Sequence, residues 1–517
     1  MSLFDRAENT TITSSQINTN NIQIIQSRRT GAPEKITETQ SLKLTSTYLK
    51  PGLIVLGQNS ALGAIYNSLE RQQLDAPKCH PNTRKAVIKR IIDWIREPMD
   101  SEVLILWLYG AAGAGKSAIA HTLAEICENR GWLVASFFFW KSAGERNNVN
   151  RFVATIAHQV ALAIPMSREL IGATVDYNPF IFQQSVDVQL CKLVVEPLRQ
   201  LFSAGKMTDI SPLVVVVDGL DECQGAETQS GLIKSLAAAF REFPFRIRII
   251  ISSRPEVYLQ TTFNSSSVRP RLTRLPLSDE YSPEEDIRHF LKDSFERIRH
   301  EHPLASYIPS SWPSSNILHE LTKKSSGQFI FASTTVKYIG GNPHQLPHRR
   351  LDVVCRLQPP DSEQDMPYAE LNSLYHHVLS NVDNMETVKL VLGVLIALNS
   401  VLGSVLNRIN TTEEIDNFFF WQPGKTEACL SQLASIIKLD TCYKKISLLH
   451  TSLSDFLLDP SRSRQFYLCR ESILGDCAAF GLCHLRQQAV LDNGVSLLFF
   501  LKFILGALIY STSYSSL

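Results

Sequence analysis

An α/β fold organised on a parallel sheet is what this sequence predicts, and three stretches predict it. Residues 104–109 (LILWLY) form a short apolar run that passes straight into the glycine-rich turn 110–117 (GAAGAGKS) and then into a helix-forming segment, 118–130. Residues 213–222 (LVVVVDGLDE) are a β-branched run ending in carboxylates, and residues 246–253 (RIRIIISS) are another run, ending at Arg254. Short apolar runs bounded by turns read as buried strands. Near-continuous β-branched runs belong to sheets covered on both faces.

The turn fits GxxxxGK[ST] in the strand–turn–helix context that a phosphate-binding loop requires. Gly110, Gly113 and Gly115 free the backbone, so that amides up to Ala118 turn inward around a β-phosphate. The helix start adds partial positive charge. Lys116 is expected to reach the β/γ oxygens and the Ser117 hydroxyl to ligate Mg2+. Asp218 is expected at the C-terminal edge of the sheet, holding the Mg2+ from the side opposite Ser117. Just beyond it, Asp221 and Glu222 are both candidates to polarise an attacking water, Asp221 being the nearer to the Mg2+ aspartate. Arg254 is expected to face the γ-phosphate, where a cation stabilises or senses phosphoryl charge. A further strand at 134–140 (VASFFFW), lying between the loop and the carboxylates, suggests the inserted-strand, hydrolase branch of P-loop proteins.

The 517 residues leave room for several domains. A 44% hydrophobic, 20% charged composition is that of an ordinary core-forming protein. A net charge of +1 gives no sign of a nucleic-acid partner, and none is expected. Ten cysteines without a CxxC pair suggest neither a zinc ribbon nor a disulfide framework. The N-terminus lacks a basic start and an apolar core, so it is not a signal peptide. The apolar stretch 495–510 carries Lys502 and is short for a membrane span; a tail anchor is one reading, a buried terminal helix or a chain end unlike the domain's natural continuation another, and a soluble, cytoplasmic protein is expected.

Taken in order, residues 1–50 read as a polar, low-complexity leader. Residues 51–98 read as a helical segment, with one helix over 53–75 and another over 84–96 capped by Asn82 or Thr83. Cys79 and His80 resemble half a metal site, but no second Cys/His pair follows at ligand spacing, so a structural role is expected. The nucleotide-binding α/β domain is expected over 99–275, with helices at 151–163 and through 166–210. A small helical domain is expected over 276–350, and a further, largely helical domain over 351–470. Residues 471–517 read as a helical tail. No internal repeat of solenoid or propeller length is present.

With these segments in place the chain resembles the NACHT proteins of the STAND class of P-loop NTPases, the fungal set above all, relatives of NOD-like receptors. The likeness rests on GAAGAGKS at 110–117, VVVVDGLDE at 214–222 and IIISSRPE at 249–256, with CHPNTR at 79–84, SFFFW at 136–140, TIAHQVA at 155–161, GQFIFASTTVKYI at 327–339 and LLHTSLSDFLLD at 448–459. It covers roughly residues 50–470. The resemblance implies an AAA+/STAND-like α/β domain followed by helical and winged-helix domains, closed around ADP and opened by ATP for self-association in signalling of the innate-immunity or incompatibility type. It also implies that His450, in the winged-helix motif, meets the β-phosphate of bound ADP. Family members usually carry an effector domain and repeats at their ends. Here a polar leader and residues 471–517 stand in those places, which leaves sensing to unidentified protein partners or to parts outside this chain.

The expected function is therefore a slow ATPase switch binding ATP or ADP with Mg2+. Two alternatives stand beside it: a conventional P-loop ATPase or kinase, and a non-cycling scaffold that holds nucleotide structurally. No arginine-rich lid follows Arg254, which disfavours the kinase. Both acidic candidates and the Mg2+ ligands are present, which disfavours the scaffold.

Overall fold

Strands β1 (Ile105–Tyr109), β2 (Leu133–Phe138), β3 (Leu213–Asp218), β4 (Ile247–Ser253) and β5 (Leu272–Pro276) make a five-stranded, all-parallel sheet in the order β2-β3-β4-β1-β5, with β1 running between β4 and β5. The computed structural model describes residues 51–488, apart from 74–75, 98–102, 142, 208–210, 242–246, 278–282, 358–367, 399–408 and 441–443. The leader and the apolar stretch 495–510 lie outside the described residues.

Alternation along the strands explains why the sheet is buried on both sides. Trp107, Val215, Val217, Ile249 and Ile251 face one apolar cluster, while Leu106, Leu108, Val214, Val216 and Ile250 face another. Helices Pro51–Gln58, Phe152–Ala163 and Arg168–Tyr177 supply the first cluster, and Lys85–Arg96 and Lys116–Asn129 the second. The strand order settles where the insertion lies. The strand between loop and carboxylate in the sequence, β2, sits at the edge, whereas β4 separates β1 from β3 in space. Its tip, Ser252 to Arg254, therefore emerges between the phosphate loop and Asp218.

The structure corrects three expectations. The segment 53–75 is not one helix: it breaks into Pro51–Gln58, a turn at Leu62–Ala64 and a short Leu69–Gln73. Neither Asn82 nor Thr83 caps the next helix. Arg84, at φ 56°, precedes Lys85 as its cap, and the Thr83 hydroxyl donates to His80 O at 2.7 Å. Strand β5 was not expected at all.

Beyond the sheet come helices Pro283–Glu301, Ser315–Ser325, Phe329–Gly340 and Pro347–Arg356. Then follow Ala369–Ser380, Met385–Gly393, Thr412–Phe418 and Lys425–Leu430, with the antiparallel hairpin β6 (Ile437–Leu439) and β7 (Ile446–Leu448). Here helices precede a small antiparallel hairpin. Thr411 and Glu414 close a reciprocal capping box at the start of Thr412–Phe418. One continuous apolar cluster joins Ile287 and Phe295 to Phe456 and Cys477, so these helices share a core. The chain then turns at His450 into the helix Thr451–Leu457, and a last helix, Arg470–Gln488, packs against the Met385–Gly393 region.

Candidate functional site

The loop at the end of β1 has the backbone a phosphate cradle needs. Gly113 and Gly115 sit at φ 75° and 90°, in the left-handed region that side chains resist. A Cβ on Gly113 would also stand 2.2 Å from Ile330 Cγ2, because the Phe329–Gly340 helix abuts the loop there. Lys116 Nζ donates to Gly110 O at 2.9 Å and Ala111 O at 2.8 Å, which holds the ammonium at the loop's mouth. Desolvation by the surrounding protein pushes its pKa down, with Arg254 adding to the push, while Asp221, Asp218 and Glu222 draw it back up.

Asp218 ends β3, buried, and accepts a hydrogen bond from the Ser252 hydroxyl at the tip of β4. The Gly219 amide donates to the same hydroxyl at 3.2 Å, so Ser252 fixes both the carboxylate and the turn after it. Burial raises the Asp218 pKa; Ser252, Ser117, Arg71 and Lys116 each favour its charged form. A serine hydroxyl and a carboxylate are the hard oxygen ligands that suit Mg2+. Ser117 is close enough to Asp218 to act on its charge, so the donor set fits that ion.

Asp221 and Glu222 have different surroundings. Asp221 is held by Arg254, with the Arg254 amide donating to Oδ1 at 3.0 Å and Nε at 3.2 Å from Oδ2. Glu222 accepts from the Lys141 amide at 3.1 Å, and burial, reinforced by Asp221 and Asp218, pushes its pKa up to about 8. Burial thus makes it a stronger base than an ordinary carboxylate.

Arg254 is shared. Besides Asp221, its Nη2 donates to Asp455 Oδ2 at 2.6 Å, and Lys141 Nζ stands 3.5 Å from Asp455 Oδ1. Burial works against the Arg254 charge, but Asp455 and Asp221 outweigh it and hold the pKa above its ordinary value. Asp455 lies on Thr451–Leu457, so the far end of the described chain is tied by charge to the tip of β4.

His450 caps the same helix. Its Nδ1 accepts the Ser452 amide at 2.9 Å, and the Ser452 hydroxyl also meets Tyr375 Oη at 2.8 Å. Because an N–H donates to Nδ1, the neutral ring carries its proton on Nε2, the nitrogen left to donate to a ligand. Burial, then the charges of Arg254 and Lys116, lower the His450 pKa to about 4. The site thus includes His450 within the electrostatic reach of Lys116, 334 positions apart in the chain (450 minus 116).

Several residues at the site were missed in the sequence. The Tyr368 hydroxyl accepts the Ala112 amide of the loop at 3.1 Å, and Arg84 Nη2 donates to Ala114 O at 2.9 Å while its own amide donates to Asp286 at 2.9 Å. Arg71 lies buried over the Phe138 ring, 3.8 Å from its centroid, with burial lowering its pKa to about 10 and Asp218 opposing the shift. Asp455 and Ser252 fall inside quoted motifs, LHTSLSDF and SSRP, and that proximity was the available signal. Tyr368 and Arg71 lie in stretches with no motif.

Comparison with known proteins adds one sequence match and a set of distant structural ones. Residues 83–254, about a third of the chain, match the family described as Nephrocystin 3, N-terminal. None of the curated proteins matches the chain. Among solved structures, a Walker-type ATPase of Pyrococcus abyssi is similar at 13% identity and a TM-score of 0.34, covering 73% of this chain and 97% of its own. Cdc6p from Pyrobaculum aerophilum is similar at 13% and 0.34, covering 74% and 96%. The Orc1 protein of Aeropyrum pernix, solved in complex with DNA, is similar at 14% and 0.33, covering 73% and 92%. At such scores the likeness carries no argument of its own. The loop, the strand order and the Lys116–Asp218 arrangement establish the P-loop NTPase fold.

Proposed function

We propose that the chain is an ATP/ADP-binding switch of the STAND type, NACHT-like, whose slow hydrolysis of ATP is coupled to domain opening and self-association. One observation supports this reading above others: Asp455, on the helix that His450 caps, shares the Arg254 guanidinium with Asp221. A γ-phosphate at the β4 tip would compete for that cation, and a guanidinium turned toward phosphate releases the Thr451–Leu457 helix. With ADP bound, Arg254 stays with Asp455, and the Nε2–H of His450 donates to the β-phosphate. Binding state, rather than turnover, is then the output.

Roles follow residue by residue. Gly110, Gly113, Gly115 and the amides through Ala118 cradle the phosphates, and Lys116 neutralises the β/γ oxygens. Ser117 and Asp218 would hold Mg2+, which offsets phosphate charge when bound. Glu222 takes the proton of the attacking water, being a raised carboxyl that is not locked in an ion pair, whereas Asp221 positions Arg254. This reverses the order in which sequence distance alone ranked the two acids.

Single-turnover hydrolysis of labelled ATP by the full chain tests the proposal. Hydrolysis over minutes with ADP retained is expected. Rapid multiple turnover would make the chain a conventional ATPase, and no hydrolysis would make it a scaffold.

A further inference from the structure

The loop before the Lys85–Arg96 helix brings His80 against the Pro283–Glu301 helix, where His289 and Asp293 lie one turn apart on the same face. The three side chains offer two imidazole nitrogens and a carboxylate oxygen, all within 4.8 Å of one another. His289 Nε2 is 3.4 Å and His80 Nε2 3.9 Å from Asp293 Oδ2. A tetrahedral zinc centre with bonds of about 2.0–2.1 Å sets its ligand atoms about 3.3 Å apart. Closing the gap therefore needs only small side-chain rotations.

Two details argue for a ligand rather than a histidine–carboxylate pair. His80 Nδ1 lies 3.1 Å from Pro81 O, and a carbonyl only accepts, so Nδ1 carries the proton. Nε2 is then a bare lone pair directed at the cluster, with its ring oriented by a backbone carbonyl as metal-binding histidines are. His289 Nε2 is shielded from solvent and makes no hydrogen bond, although Asp293 stands beside it. An orphaned imidazole nitrogen of this kind costs free energy unless something fills the space before it.

We propose that His80, His289 and Asp293 form a binding site for a divalent transition ion, Zn2+ by the two-imidazole, one-carboxylate donor set, with a fourth position open to water. Such a site supplies the partners for His80 that the sequence lacks at ligand spacing, since they come from a helix about two hundred residues away in the chain. It joins the residue 79–84 loop to the helical region beside the Arg84–Asp286 contact. The site stands apart from the nucleotide pocket and does not depend on the switch reading.

The test is titration of the full-length, metal-stripped protein with Zn2+ in excess Mg2+, followed by Co2+ as a spectroscopic probe. One Zn2+ per chain is expected, with the visible bands of tetrahedral Co2+ bound to nitrogen and oxygen. His80→Gln and His289→Gln should each weaken binding at least about tenfold, while Asp218→Asn should leave Zn2+ affinity unchanged. A circular-dichroism spectrum matching that of the unaltered chain shows that each variant is folded. Absence of Zn2+ binding, retention of it in both histidine variants, or a thiolate charge-transfer band in the Co2+ form would overturn the site.

Discussion

Arg254 shows how one residue gathers the chemistry of distant segments. Its guanidinium answers two carboxylates, Asp221 from the turn after β3 and Asp455 from the last part of the chain. This division separates the two acids experimentally. Glu222→Gln should lower the single-turnover hydrolysis rate about 10²–10⁴-fold, the span of a lost general base, with ATP affinity retained. Asp221→Asn should mainly loosen the Arg254 tip, so that nucleotide exchange quickens more than hydrolysis slows. Equal losses of hydrolysis in both variants would undo the assignment. His450 gives a pH dependence. Burial holds its closed-state pKa at about 4, below the ordinary 6.5, with Arg254, Lys116 and Lys337 adding to the push and Asp455 opposing it. The open or unfolded chain therefore binds a proton that the closed form refuses. The His450 contribution to closed-state stability is full above about pH 6.5 and is lost as pH falls toward about 4. Melting temperature followed across that window should fall less steeply in His450→Asn, and an unchanged slope would remove His450 from the latch. Lys116, Ser117 and Asp218 were legible in the sequence because fixed spacing follows from phosphate geometry. Tyr368 and Arg71 were not, since only tertiary packing brings them to the loop.

At the scale of elements, Arg254 and Asp455 join the β4 tip to the Thr451–Leu457 helix, the contact that the proposed switch would have to break. Asp455→Asn removes a charge-assisted hydrogen bond of about 1.5–3 kcal/mol. Exchange of bound ADP, followed with a fluorescent analogue, should quicken more than tenfold; an unaltered rate would mean the helix is not a clasp. Gly113→Ala tests the opposite face of the loop. The left-handed backbone alone costs about 1–2 kcal/mol, and the new methyl meets Ile330. Thermal unfolding should show that loss, and Ile330→Ala in the same chain should restore part of it. Strands β1, β3 and β4 were readable because both faces are buried and the runs are unbroken. Strand β5 was hidden because LTRLP buries only Leu275 fully and ends in proline, as an edge strand does. The Leu53–Asp75 helix failed where Gly57, Asn59 and Ser60 interrupt its apolar pattern: the Ser60 hydroxyl turns back to Leu56 O at 2.7 Å and the chain leaves the helix.

For the whole molecule, two ionic ties among the described residues cross from the hairpin and the Thr451–Leu457 helix to the α/β layer: Asp455 to Arg254 and Lys141, and Lys445 to Glu70, 3.3 Å apart and shared with Arg146. Ties made of charge, over a helical region with its own apolar core, suit a joint that opens without unfolding either side. The α/β architecture could be anticipated from motifs. That His450 comes within electrostatic reach of Lys116 could not be read from spacing; only the family resemblance suggested it. Among the described residues no helix is long and apolar enough to cross a membrane. The most direct measurement is equilibrium binding of ADP with Mg2+ to the full chain and to Lys116→Ala and His450→Ala. Tight binding that Lys116→Ala abolishes and His450→Ala weakens at least tenfold is the expected result. ADP affinity that is absent in the unaltered chain, or identical in all three proteins, would contradict a nucleotide pocket latched by His450.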